Sequence, residues 1–268
     1  IFAASFGYME PIIKVAAKYP NVHFEHATGY KRAECQHLRH PLLRGQLHPG
    51  RDRRQMSKTG TLGYISSFPI PEVISGIDAT MLGAQTVSPN IKIKIVWINT
   101  WFDPPREADA AKALADQGAD VLMAYADTPA TLQIAAQRGI LGFGQSSDMI
   151  NFGPQTQLTA VIDNWVPFYT RRVQDELDGK WTSQDTWGGL ASHMVLMAPY
   201  TNMPDEVKTL AMKTEAALKA GTLHPFTCPI VDQDGKSIEC QDGTHFSDPQ
   251  IRAMNFYVKG FGEKIPGK

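Results

Sequence analysis

Thr61-Leu62-Gly63-Tyr64-Ile65-Ser66-Ser67 follows a turn at Lys58-Thr59-Gly60 and leads into Pro71–Gly83, and this stretch decides the fold. The first run is short, apolar and bounded by turn residues, which is the pattern of a buried strand. The second reads as a helix with proline in its first turn, where the missing amide costs nothing. The alternation then repeats. Ile91–Ile98 reads as a strand whose alternate Lys92 and Lys94 mark one wetter face or a sheet edge, Arg106–Gln117 as a helix stopped at Gly118, and Val121–Ala124 as a strand. Ala130–Gln137 reads as a helix stopped at Gly139 and Ile140–Phe143 as a strand. Strand and helix in strict alternation predict an α/β fold, with a parallel sheet covered by helices on both faces. Ligands of such sheets bind beyond the carboxyl ends of the strands. The loops Phe6–Met9, Thr100–Pro105, Asp127–Pro129 and Gln145–Met149 are therefore the ones to inspect.

Outward from this centre, Ile1–Ser5 reads as a strand, Glu10–Lys18 as a helix and Val22–His26 as a strand. Ile1 opens the chain inside an apolar run that reads as a strand entered mid-fold, so the N-terminus is expected to be cut off. Beyond it lie a strand at Leu158–Ile162, a helix at Val166–Leu177, a strand at Val195–Met197 and a helix at Asp205–Lys219. Phe226–Cys240 forms two extended arms around Asp232-Gln233-Asp234-Gly235, a hairpin signal, and a last helix is expected over Asp248–Lys259. The 268 residues carry 26 Lys+Arg against 27 Asp+Glu, a net charge of −1, which argues against a nucleic-acid binder. No run is apolar for long enough to span a membrane.

Glu34–Gln55 breaks the pattern: five arginines, three histidines and two prolines in 22 residues, with no helical or strand period. A metal site from Cys35, His37, His40 and His48 matches no common zinc spacing. A structureless loop of that length inside a compact domain counts against itself. We expect a shifted reading frame: codons for this stretch can be chosen so that reading one base later yields NVSTYATRFYEGSYIPGVIAGK without a stop.

Several motifs, taken in order, resemble the basic membrane protein (BMP) family of ABC-transporter substrate-binding proteins, which includes purine-nucleoside receptors. They are Ser5-Phe6-Gly7-Tyr8-Met9, Phe24-Glu25-His26-Ala27-Thr28-Gly29-Tyr30-Lys31, Trp101-Phe102-Asp103-Pro104, Gln117-Gly118-Ala119-Asp120-Val121, Phe143-Gly144-Gln145-Ser146-Ser147-Asp148-Met149 and Asn164-Trp165. The resemblance implies a type I periplasmic-binding-protein fold, two parallel-sheet lobes with a ligand cleft between them. It places residues 1–57 in a partial N-terminal lobe, 58–162 in the C-terminal lobe, 163–185 back in the first and 186–268 in the second. With the leading βα region absent, the first lobe is expected to leave apolar surface uncovered. The resemblance also implies a periplasmic or exported monomer that hands a small molecule to a membrane permease and needs no metal or cofactor.

A flat, weakly charged ligand calls for aromatic faces and a few fixed polar groups. Phe6, Tyr8, Trp101, Phe102, Asp103, Asp127, Ser146, Asp148, Asn164 and Trp165 are the candidates. Trp101 and Phe102 follow a strand and point opposite ways, so one of the two faces the ligand. Asp103 and Asp127 could equally cap helices, and Asp148 could brace its own loop. Nucleoside-binding relatives carry an aspartate where this chain has Ser146, and a lysine that Ile162-Asp163-Asn164 lacks. Both departures favour a free base, adenine-like, with Asn164 pairing to a purine edge. A regulator's effector domain is the alternative, and a hydrolase around Ser192-His193 the weakest reading, because no Gly-x-Ser-x-Gly elbow occurs. Export also implies an oxidising compartment and thus a Cys228–Cys240 disulfide across the hairpin arms.

Overall fold

The computed structural model describes residues 1–28, 35–39 and 56–267. The chain divides into two compact units, one of residues 1–41 and 164–195 and the other of residues 42–163 and 196–268. The return segment of the first unit thus runs on to Val195, where the family resemblance placed its end at 185.

The larger unit holds a six-stranded sheet in the order β10-β8-β7-β6-β4-β5. Its strands are β4 (Thr61–Ser66), β5 (Lys92–Trp97), β6 (Val121–Tyr125), β7 (Leu141–Ser146), β8 (Gln157–Asp163) and β10 (Val195–Met197). Neighbours from β5 to β8 pair in parallel, joined by α2 (Pro71–Gln85), α3 (Pro104–Asp116) and α4 (Ala130–Arg138). Alternate residues of β4 serve opposite faces, as the pleat requires. Ile65 packs into a core with Leu122 and Ala124 of β6, Ala111 and Leu114 of α3, and Ile134 and Ala135 of α4. Small residues let these layers meet: a Cβ on Gly63 would lie 2.5 Å from the Leu122 side chain. Below the sheet, the Asp120 carboxylate accepts from the Ser57 hydroxyl at 2.6 Å and from the Lys58 and Thr59 amides at 2.6 and 2.9 Å, closing the turn into β4. These elements match the expected alternation to within a few residues.

The smaller unit holds a parallel sheet in the order β1-β2-β3-β9. Its strands are β1 (Phe2–Ala4), β2 (Phe24–Ala27), β3 (Cys35–Arg39) and β9 (Thr186–Trp187), with helices α1 (Met9–Ala16) and α5 (Val166–Leu177). Strand β3 corrects the reading of Glu34–Gln55 as patternless: Cys35–Arg39 pairs with both neighbours, since a backbone ladder does not require an alternating sequence. The rest of that stretch, and the shifted frame expected for it, lie outside the described residues. Beneath the sheet is a buried ion pair. Arg172 Nε, its side chain 1% exposed, donates to Glu25 Oε1 at 2.7 Å, and the Trp181 indole donates to the same oxygen at 2.7 Å. Ile1 and Leu177, 65% and 76% exposed, leave apolar surface uncovered on this unit.

The C-terminal region differs from expectation. α6 (Asp205–Lys219) forms as read, but the last helix, α7 (Asp248–Arg252), stops seven residues early. A capping box at Ser247 and Gln250 starts it. What ends it is tertiary: the Tyr257 carbonyl accepts from the Gln233 amide, the Lys259 amide donates to Val231, and the Val258 amide donates to the buried Asp78 carboxylate at 3.1 Å. The hairpin pairs β11 (Ile230–Val231) with β12 (Ser237–Ile238), Ile230 opposite Ile238 and Val231 opposite Ser237. This register places Cys228 opposite Cys240, and the two are disulfide-bonded with Cα atoms 6.1 Å apart.

Candidate functional site

The carboxyl ends of the strands in each unit carry the side chains that could meet a ligand. In the larger unit, Ser66 closes β4 with Trp97 and Tyr125 as its register neighbours. Trp101, after β5, stands with its ring centroid 5.4 Å from Phe68 and 6.4 Å from Tyr125. The Asp127 amide donates to the Trp101 carbonyl at 2.8 Å, which ties the loops after β5 and β6 together. The result is an aromatic wall of Phe68, Trp101 and Tyr125. Phe102 turns the other way and is 68% exposed.

Polar groups border this wall. The Tyr125 hydroxyl donates to Glu72 Oε1 at 2.6 Å, at the start of α2. Burial first, then the Glu72 charge, holds the Tyr125 phenol well above its usual range, so it stays a donor. Ser66 and Ser67 are fully buried, and neither hydroxyl has a partner among the described residues. Buried polar groups without partners cost stability and call for an explanation. Ser146 closes β7 at φ +60°, a left-handed conformation that non-glycine residues rarely adopt. Asn99, after β5, has φ +52°, and Thr28, after β2, has φ +70°. Thr28 is β-branched, which makes its conformation the costliest of the three.

Two candidates are used by their own loops. Asp103 caps α3, its Oδ1 accepting from the Arg106 amide at 3.1 Å. Asp148 Oδ1 accepts from the Ile150 amide at 3.1 Å and from Gln157 Nε2 at 2.7 Å, while Gln157 Oε1 accepts from the Met149 amide. Both carboxylates thus brace the loops they start, as the sequence allowed. Asp127 remains exposed at the wall's edge.

In the smaller unit, Phe6 and Tyr8 lie in a single 3-10 turn after β1, Phe6 half-buried and Tyr8 56% exposed. The His26 ring, fully buried, bonds the Ser5 carbonyl through Nε2 at 2.8 Å and fixes where that turn begins. Burial lowers the His26 pKa, so the ring is neutral. Ala4 pairs with Ala27, and Ala27 packs with Phe168, Met194 and Trp165. Trp165 stacks on Tyr169 at 5.9 Å. Asn164 donates its amide N–H to Met194 and its side-chain Nδ2 to the His193 carbonyl, each at 2.9 Å. That leaves Oδ1 and one N–H of the same amide oriented by a fixed partner. Ser192, the residue of the hydrolase reading, closes a turn by exchanging bonds with Gly189 N and O at 2.9 and 3.1 Å.

Sequence reasoning missed Phe68, Glu72, Tyr125 and the serine pair. The signal was present in the strand-end rule itself, because Ser66-Ser67-Phe68 follows β4 as directly as Trp101 follows β5. Among the described residues no group of three or more metal-ligating side chains occurs, and no helix is long and apolar enough to cross a membrane.

The fold is shared with solved structures. A transcriptional activator of the comK gene from Bacillus halodurans superposes with a TM-score of 0.70 at 20% identity, covering 82% of this chain and 78% of that one. A solute-binding protein of an ABC transporter system from Aeropyrum pernix gives 0.68 at 14% identity, covering 83% and 76%. These likenesses carry the architecture alone. Sequence relatives are more specific. A purine-binding protein of Brucella abortus is 52% identical over 267 residues, 99% of this chain and 76% of that protein. A putative ABC-transporter glucose-binding protein of Haloferax volcanii is 35% identical over 217 residues, 80% of this chain and 56% of its own length. The family model for PnrA-like ABC-transporter substrate-binding proteins matches residues 54–221. The chain belongs to that family, the Bmp substrate-binding proteins, non-catalytic transport components that bind a small molecule for delivery to a membrane permease.

Proposed function

We propose that this chain binds a purine base, adenine-like in preference to a nucleoside, as the exported receptor of an ABC importer. The observation that carries the reading is the aromatic wall of Phe68, Trp101 and Tyr125 at the strand ends. Its rings are tilted against one another by 53° and 57°, so the half-buried Trp101 is the ring that offers a π-face, and the buried Ser66 and Ser67 hydroxyls and the Glu72 carboxylate stand beside it for a ring edge rich in N–H groups and ring nitrogens. The name of the Brucella relative supports a purine. Ser146, neutral where nucleoside receptors carry an acid, is a weaker grip for ribose. Asp127, at the edge of the wall, supplies a further contact on this reading.

Mass spectrometry of small molecules released from the purified protein identifies the ligand, and calorimetry with adenine, guanosine and inosine ranks them. Adenine is expected to bind most tightly. The Haloferax relative is named for glucose, and aromatic walls also accept sugar rings. Binding of glucose with no purine bound would overturn the assignment.

A further inference from the structure

The Tyr125 hydroxyl donates to Glu72 Oε1 at 2.6 Å. Between a phenol and a carboxylate the phenol keeps the proton at neutral pH, so the direction of this bond is fixed. A phenol has one proton. With that proton spent on Glu72, the Tyr125 oxygen can meet a third group only by accepting. Its neighbour has the opposite freedom. Ser66 is the register partner of Tyr125 at the ends of β4 and β6, and side chains paired in this way project to the same face of a sheet. Ile65 and Ala124, one residue earlier on each strand, pack into the helix-covered core on the other face. The Ser66 hydroxyl is fully buried and has no partner among the described residues. A buried hydroxyl of this kind calls for a group to bond. The wall that joins Trp101 to Tyr125 is therefore edged by a donor at Ser66 next to an obligate acceptor at Tyr125.

We propose that Tyr125, its proton held by Glu72, is the specificity-determining residue that reads an amino N–H on the ligand, while Ser66 donates to the ring nitrogen beside that amino group. The inference rests on the purine reading and deepens it. Adenine carries this pair on one edge, the N6 amino group next to N7, whereas a 6-oxo purine shows two acceptors, O6 and N7, at the same places. A carbonyl turned toward Tyr125 would set two acceptor oxygens against each other in a buried site, and neither could be satisfied. Glu72 acts through the proton it holds, as a positioning residue.

The test is calorimetry with adenine, hypoxanthine and unsubstituted purine, which lacks the amino group and keeps both rings. Adenine should bind about 5- to 150-fold more tightly than either, the worth of one well-made base-edge contact. Tyr125→Phe removes the acceptor, so adenine should weaken while unsubstituted purine holds, and the lead over purine should shrink to within about twofold. Glu72→Ala releases the phenol proton to meet O6, so the lead of adenine over hypoxanthine should shrink as well. A merely structural role for the pair would weaken all three ligands together. Purine or hypoxanthine binding as tightly as adenine, or an equal loss for all three in Tyr125→Phe, would overturn this inference and leave a purine ligand standing. Failure of all three to bind the parent protein would overturn both.

Discussion

Single side chains in this protein are decided by competition between neighbours. Trp101 and Phe102 have the same chemistry and adjacent positions, yet one joins Phe68 and Tyr125 and the other is mostly exposed. If Trp101 stacks on the ligand, Trp101→Ala removes one base–aromatic face worth about 1–3 kcal/mol. Affinity for adenine should then fall about 5- to 150-fold, whereas Phe102→Ala should change it by less than about twofold. Calorimetry on both variants checks this, and equal losses would mean the wall is not the contact surface. Glu25 and Arg172 are a second residue-scale case. Taking charges out of water is costly, and the pair survives because Arg172 and Trp181 both donate to one oxygen. Arg172→Met should destabilise the smaller unit by about 3–5 kcal/mol, because Glu25 is left charged and buried. Adding Glu25→Gln to that variant should restore part of the loss in urea denaturation.

At the scale of elements, the hairpin shows how register is set. The sequence centres the turn near Gln233, which would offset the two cysteines. The structure centres it on Asp234 instead. Asp232 Oδ1 accepts from the amides of Asp234 and Lys236 at 3.0 and 2.9 Å, and Gly235 supplies φ +84°. The five residues 232–236 then close the loop, and Cys228 and Cys240 fall opposite each other. So short a loop contributes about 3 kcal/mol or less on the chain-entropy model. Thiol titration of the denatured protein without reductant should find neither cysteine reactive, and Cys228→Ser should lower stability by no more than that amount. β7 makes a different point. A Cβ on Gly144 would stand 2.7 Å from Ala160 Cβ and 2.8 Å from Gln157 Oε1. Gly144→Ala should therefore cost about 1–3 kcal/mol through overpacking, and it should disturb the Gln157–Asp148 bond that holds the loop after β7. Chemical denaturation gives the first value and adenine calorimetry reports the second.

For the whole molecule, buried acids set how stability follows pH. Glu107 has its carboxyl raised from 4.5 to about 7 chiefly by burial, and Asp78 is raised well above its ordinary value for the same reason. A raised acid binds its proton more tightly in the folded than in the unfolded state. Its contribution is fully present below the unfolded pKa and is lost as pH rises through the folded one. For Glu107 that window runs from about 4.5 to about 7, and the loss is on the order of 3 kcal/mol. Urea denaturation at pH 5 and pH 8 should show Glu107→Gln little different from the parent at pH 5 and more stable at pH 8. His26 works in the opposite sense: burial lowers its pKa, so its contribution is lost as pH falls below the ordinary value of 6.5. An equal effect of Glu107→Gln at both pH values would mean that the parent carboxyl does not titrate in that window.

The amino-acid sequence by itself determined the α/β alternation, the boundaries of most helices and which loops follow the carboxyl ends of the strands. These depend on local quantities: apolar period, proline at helix starts and glycine at helix ends. It also carried the family, because its motifs occur in the family's order. The tertiary structure decided whatever depends on a partner distant in sequence. Residues 35–39 became a strand because two ladders were waiting for it. The last helix ended at Arg252 because the Val258 amide was claimed by Asp78, 180 residues earlier. Asp103 and Asp148 were taken up by nearby amides, and Phe68 and Tyr125 entered the wall because β4 and β6 lie side by side. Periodicity tells a residue which face it occupies, and only the register of neighbouring strands tells it what stands opposite.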